Sequence, residues 1–263
     1  MKTRPPLLLL VLFFIPALAC STIIPGSVKG SGNLETQTFN VSNFDRVRLD
    51  GFGDVYIEQG DRESLSVQTD DNLLPYLDIK VSGNELQLSV KPNSNLNPSQ
   101  SITYNLTVKD LSRITLNGSG KFYLSPVQSD SMDIAVNGSG DINIDDLATG
   151  KLSMALNGSG NIAIDKLSAS STDASINGSG DIKLAGEAPT QEISFNGSGN
   201  YLAGDLKSES AEISIPGSAD ITVWVTDTLK AHIDGSGTVR YYGKPTVDQN
   251  GNGSGKLVSL GEK

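Results

Sequence analysis

The stretch from Ile134 to Ile144 reads IAVNGSGDINI, and its frame returns as MALNGSGNIAI from Met154 to Ile164 and as ASINGSGDIKL from Ala174 to Leu184. Counted from the asparagine, apolar residues stand at −3, −1, +5 and +7. Alternation with period two places each arm in a strand with one buried face and one outward face. Complete copies of Asn-Gly-Ser-Gly begin at Asn117, Asn137, Asn157, Asn177, Asn196 and Asn252, with altered copies at Pro216 and Asp234. The successive steps are 20, 20, 20, 19, 20, 18 and 18 residues. A period this regular belongs to units that stack, because one unit alone cannot bury its apolar face.

The expected fold is therefore all-β, a single-stranded parallel β-helix (a β-solenoid) with coils of about 20 residues. Each coil is read as two short strands and two corners, with a further inward residue at +10 (Val127, Leu147, Leu167, Leu206). Like arms of successive coils should then stack in register, Ile142 on Ile162 and Ile162 on Ile182. A meander of hairpins, or a twisted sandwich, is the competing reading, since Asn-Gly is also a strong hairpin signal. The constant period favours the solenoid, because a meander tolerates loops of any length. The pairs Asn117-Gly118, Asn137-Gly138, Asn157-Gly158, Asn177-Gly178 and Asn196-Gly197 are assigned as structural turns. Their glycines supply positive φ and close approach, and their asparagines are expected to form a ladder of side-chain amides.

Upstream, Asp50-Gly51-Phe52-Gly53 is a degenerate copy of the corner, flanked by Val47, Leu49, Val55 and Ile57. Less regular alternating segments follow as far as Val108, as suits the capping end of an array. A single domain is expected from residue 33 to 263. Before it, Lys2 and Arg4 precede an apolar run from Leu7 to Ala19 that is too short to span a bilayer, so residues 1–19 read as a signal peptide. Cys20, the only cysteine, follows Ala17-Leu18-Ala19. Its place resembles the lipidation site of a bacterial lipoprotein, and residues 20–32 read as a lipidated cysteine and flexible tether. Ala17-Leu18-Ala19 also suits ordinary signal peptidase. Cleavage would leave 18 basic and 30 acidic residues, a net charge of −12, which argues against a nucleic-acid partner.

The segment DRVRLDGFGDVYIEQGDRESLSVQTDDNLLPYLDIKVSGNELQLSV (Asp45 to Val90), followed by LTVKDLSRITLNGSG, resembles the head GIN domain of bacterial auto-transporter adhesins. The shared features are a G-x-G-[DN]-V-x-[IL] unit (Gly51 to Ile57), a D-N-L-L-P-Y-like element (Asp71 to Tyr76) and repeated G-S-G-[DN]-[IV] units from Asn117. The resemblance covers about Asn40 to Lys256. It implies a right-handed parallel β-helix, export, frequent lipidation and an adhesive role at the cell surface or envelope.

No cofactor is implied. After each corner the chain carries Lys121, Asp141, Asn161, Asp181, Asn200, Asp220, Thr238 and Lys256. A column with two lysines cannot supply calcium's six to eight oxygens throughout; only Asp141 and Asp181 keep that option, with Asn161 between them. Gly118-Ser119-Gly120-Lys121 lacks phosphate-loop spacing. Asp70-Asp71 and Asp145-Asp146 are acidic pairs, and the single histidine, His232, is expected to face solvent. No residue is assigned to catalysis. Trp224, Tyr123 and Tyr242 fall at outward positions and are the candidate contacts for an extracellular glycan or protein. A passive envelope spacer and, behind it, a polysaccharide-acting β-helix enzyme are the alternatives.

Overall fold

The computed structural model describes residues 26–263, so the signal segment and Cys20 lie outside the described residues. The repeats form a β-solenoid of about seven turns. Like arms pair in parallel at the one-coil offset. Ile142 pairs with Ile162 and Ile162 with Ile182, while Ile134, Met154, Ala174, Ile193 and Ile213 form a column in the other arm. A hairpin meander would have paired the two arms of one unit antiparallel. The side chains of these columns are almost wholly buried (Ile142, Ile162 and Ile182 at 0% exposure), and each isoleucine or methionine contributes about 1.5–3 kcal/mol by leaving water.

The rung has one more side than expected. After the short strand Asp141–Ile144 the chain runs through one long strand, Leu147–Gly158, and its predecessor is Val127–Gly138. Inside the latter, Val127 and Met132 are buried while Gln128 to Ser131 are not. The ladder also skips Asp130 opposite Gly150. A straight strand cannot bury both apolar ends and turn four consecutive polar residues outward, so the chain bends here. At Gly150 the backbone passes so close that a Cβ would lie 2.6 Å from the Asp130 carbonyl oxygen. A third corner therefore divides the long strand, and the cross-section is three-sided.

The Asn-Gly-Ser-Gly corner is held by two devices. Asn137 donates its amide to Asn117 (2.8 Å), Asn157 to Asn137 (3.0 Å) and Asn177 to Asn157 (3.2 Å). Asn117 continues the ladder onto Asp50 (2.6 Å), so the degenerate copy lies in register with the others. The first glycine has φ of +135° to +158° from Gly118 to Gly178. A Cβ on Gly158 would also lie 2.1 Å from the Gly138 carbonyl oxygen.

The amino-terminal end departs from a uniformly parallel helix. The rung Arg46–Gly51 and Asp54–Gln59 has Arg113–Gly118 and Lys121–Leu124 on one side. On its other side lie Glu85–Val90 and Thr103–Val108. Beyond them the pairing is antiparallel: Leu77–Ser82 on Glu85–Val90, Ser64–Asp70 on Thr103–Val108, and Leu34–Phe39 outermost on Ser64–Asp70. The reversal at Gly83-Asn84 is a two-residue hairpin with φ of +57° and +65°, the conformation such turns require.

Within the stretch expected to form a tether, residues 28–32 lie on the cap. Val28–Lys29 pairs with Leu96–Asn97, and the following turn wraps the buried carboxylate of Asp70. That group accepts hydrogen bonds from Gly32 N (2.7 Å), Ser99 N (2.8 Å) and Ser99 Oγ (2.7 Å). A buried charge needs such donors, and they pin the segment onto the cap.

Candidate functional site

The solenoid interior is filled by stacked side chains, with Phe122, Phe195 and Tyr201 among the largest, so the outer faces are where a partner would meet the chain. On the face that follows the Ser-Gly corner, outward residues alternate with core residues along every strand. Trp224 and Tyr242 are register partners in adjacent strands of this face. Both are half-buried. Tyr123 lies on the same face, stacked on Tyr56 with centroids 4.9 Å apart and planes at 14°. Five strand steps separate it from Trp224, about 25 Å at the usual spacing of neighbouring strands. Of the three candidate contacts, the fold thus brings two together and leaves Tyr123 in a second, separate aromatic pair.

The ground around Trp224 is built unusually. Register slips between Ala203 and Lys207, so Ala203 pairs with Val223 and Lys207 with Trp224. Gly204, Asp205 and Leu206 are left out of the ladder toward Trp224. Bulges of this kind re-aim side chains and free backbone groups. Beneath, a buried polar chain fixes the Trp224 backbone: Tyr201 donates to Gln191 (2.9 Å), Gln191 to Ser208 (2.7 Å), and Ser208 to the Trp224 carbonyl (2.8 Å). Burial pushes the Tyr201 phenol far above its ordinary value, so it stays a hydrogen-bond donor. Above, the Lys263 ammonium sits 5.5 Å from the Trp224 ring centroid and 5.0 Å from that of Tyr242. It also contacts the Gly204 carbonyl and the Asp205 carboxylate. Leu202, Val258 and Leu260 are exposed on the same face at 42%, 39% and 40%.

Sequence reading passed over Tyr56, Asp205 and Lys263. Tyr56 was findable, because it stands six residues after Asp50 as Tyr123 stands six after Asn117. The meeting of Lys263 with Asp205 joins residues 58 apart and follows no repeat.

The acidic groups are engaged individually. Asp70 belongs to the amino-terminal latch, and Ser99's hydroxyl and amide hold its pKa below the ordinary carboxylate value. Asp146 pairs with Lys166 (2.5 Å). Asn161 donates to Asp141 (2.8 Å) and accepts from the Asp181 amide (3.1 Å), so an amide bridges these two aspartates. Among the described residues no cluster of three or more His, Cys, Asp and Glu is arranged to hold a metal. His232 is exposed, hydrogen-bonded to Asn250 and to Asp234 (2.8 Å), and these contacts raise its pKa. A groove of about 650 Å³ follows the third corner past Asp45, Asp110 and Asp130. Asp45 accepts there from Ser112 Oγ (2.7 Å).

The family profile described as "Putative auto-transporter adhesin, head GIN domain" matches residues 43–245. Among solved structures, a putative lipid binding protein from Parabacteroides distasonis ATCC 8503 is similar, with TM-score 0.84 and 30% identity over 89% of this chain and 100% of that one. A putative adhesin from Parabacteroides merdae ATCC 43184 gives 0.82 and 27% over 89% and 99%. A putative adhesin from Bacteroides fragilis NCTC 9343 gives 0.68 and 25% over 89% and 100%. None of the curated proteins matches.

Proposed function

The chain belongs to the family of the putative auto-transporter adhesin head GIN domain, and starting there we propose that it is an exported, non-enzymatic binding module. The observation that carries this reading is the half-buried pair Trp224 and Tyr242 on a parallel face, bordered by exposed Leu202, Val258 and Leu260. Aromatic side chains held rigidly beside apolar surface lose little conformational freedom on binding, and they dominate measured interface energetics. Stacked coils hold them without hinges, which suits capture rather than turnover.

Glycan, protein and lipid arrays probed with wild type and Trp224→Ala test the reading. The lipid arm is included because one similar structure is described as a lipid binding protein. The variant should lose about 2 kcal/mol of affinity or more, the range of an interface hot spot, while its melting temperature holds. Equal binding by both proteins would remove Trp224 from the interface, and shortened or unsaturated products from acidic polysaccharides would replace binding by lysis.

We further propose that Cys20 is acylated and holds the module on the cell envelope, a reading supported by its place after Ala17-Leu18-Ala19. Stable anchoring takes more than one acyl chain. Cys20→Ala should move the protein from the membrane fraction to the soluble one, or stop its processing. Wild-type protein found soluble and unlabelled by fatty acid would overturn the anchor.

A further inference from the structure

The hollow around Trp224 already holds a ligand-like group, the ammonium of Lys263. An ammonium has three N–H donors and no acceptor. Here it has two acceptors, the Gly204 carbonyl and the Asp205 carboxylate, and two ring faces, Trp224 at 5.5 Å and Tyr242 at 5.0 Å. Both rings lie within the roughly 6 Å over which a cation is drawn to an aromatic quadrupole.

Each part of the hollow has its own local cause. The register slip releases Gly204 and Asp205 from pairing with the Trp224 strand, which leaves a carbonyl aimed outward and a carboxylate at the rim. Gly204 has no side chain, and a Cβ there would stand 3.1 Å from Thr222 Cγ2 and 3.4 Å from Tyr242 Cε2, so glycine lets the Tyr242 ring close over the floor. The Ser208 hydroxyl fixes the Trp224 backbone from below. Trp224, Tyr242, Gly204 and Asp205 are all supplied by other coils, so the contacting groups are not the occupant's own. The Lys263 segment does flank the Tyr242 strand, through Leu260 N to Tyr241 O (2.8 Å) and Gly243 N to Gly261 O (2.9 Å). Asp205 is held below its ordinary pKa chiefly by its hydrogen bond to Lys263, in keeping with a carboxylate matched to a cation.

We propose that this hollow is a recognition site for a lysine side chain of a partner protein, and that Lys263 fills it in cis as a displaceable plug. The inference rests on the reading of the chain as a binding module and names the chemistry of its contact. Two acceptors in the site call for N–H donors, so a primary ammonium fits and a quaternary one does not. With the plug in place the apparent affinity for an outside ammonium falls by the fraction of molecules whose hollow is open.

Trp224 is the sole tryptophan among seven tyrosines, so fluorescence excited to the red of tyrosine absorption reports this site alone. Wild type, Lys263→Ala and Lys263→Ala/Asp205→Asn are titrated with Nα-acetyl-lysine methylamide and, separately, with choline at equal ionic strength. Saturable binding to Lys263→Ala is expected, weakened about tenfold or more in wild type by self-occupancy and lost in the double variant. Lys263→Gln serves instead if the alanine variant does not fold. Absence of saturable binding to the opened protein, or choline binding as tightly as the lysine probe, overturns the proposal. An array partner whose binding needs Trp224 but is not competed by the lysine probe would sink this inference and leave the binding-module reading standing. Binding insensitive to Trp224 would sink both.

Discussion

Replacing Gly158 by alanine tests the corner that sets the rung spacing. Two independent effects act there. The residue sits at φ +145°, where a side chain is strained by about 1–3 kcal/mol. The new Cβ would also stand 2.1 Å from the Gly138 carbonyl oxygen and 3.0 Å from its carbon. Relief of that overlap to ordinary contact at 3.4 Å requires the backbones to part by well over an ångström, which stretches both bonds this oxygen accepts, from Ser159 N (2.9 Å) and Gly160 N (3.2 Å). At about 1 kcal/mol net for each bond, the whole cost is about 3–5 kcal/mol. In a domain of this size that lowers the melting temperature by roughly 10 °C. Circular dichroism melts of Gly158→Ala, Gly160→Ala and Ser159→Ala give the comparison. Ser159 is exposed, and its variant should match wild type. A Cβ on Gly160 would meet the Gly140 carbonyl oxygen as closely (2.0 Å). Gly160 lies outside the positive-φ region, however, and the equivalent place in the Pro216 unit is held by a buried alanine, Ala219, so Gly160→Ala should be milder than Gly158→Ala. A Gly158→Ala melt within 2 °C of wild type, or a larger loss at Gly160, would refute the reasoning.

Asn161→Asp would set a third carboxylate between Asp141 and Asp181 and delete the amide that bridges them; like charges directly opposite destabilise a sheet by up to about 1 kcal/mol. The variant should melt below wild type at neutral pH and recover as the pH enters the carboxylate range, and identical melts at both pH values would contradict the bridge. Asp70, with its folded pKa lowered by Ser99, stabilises the latch above the ordinary value of 3.8 and loses that contribution as pH falls through its lowered one. Asp70→Asn should accordingly admit protease between residues 26 and 33 at neutral pH while the coils stay intact, and acidified wild type should behave alike; unchanged cleavage would remove Asp70 from the latch.

The regular coils were legible because each inward position repeats at a fixed offset, so Ile142, Ile162 and Ile182 could be placed on one another before any coordinates. Half-legible was the third corner. Gln128 to Ser131 are plainly polar, yet a polar run between Val127 and Met132 reads equally as loop or as bent strand until neighbouring coils are seen to pair through it. The cap was hidden by chain order, since Glu85–Val90 precedes Arg113–Gly118 in sequence but lies on the opposite side of Arg46–Gly51. Aromatic positions at Trp224 and Tyr242 followed from the count. The hollow they share did not, because it depends on a broken register and a lysine from a distant turn.

The latch at Val28–Lys29 also decides how the molecule carries load. It fastens the amino-terminal segment to the outermost layers of the cap, and from the edge strand Leu34–Phe39 the face climbs nine strand steps to Trp224. That is a stand-off of roughly 40 Å at the usual strand spacing. A pull on the hollow, with the chain held near Val28, runs along the solenoid axis and parallel to the hydrogen bonds between coils. Those bonds share the tension side by side around the three faces of each interface. The weakest mechanical element then lies where a two-residue strand, the Asp70 carboxylate and a few bonds from Asp71 and Asn72 hold the lead segment, and under force the molecule should lengthen there first while its coils stay stacked.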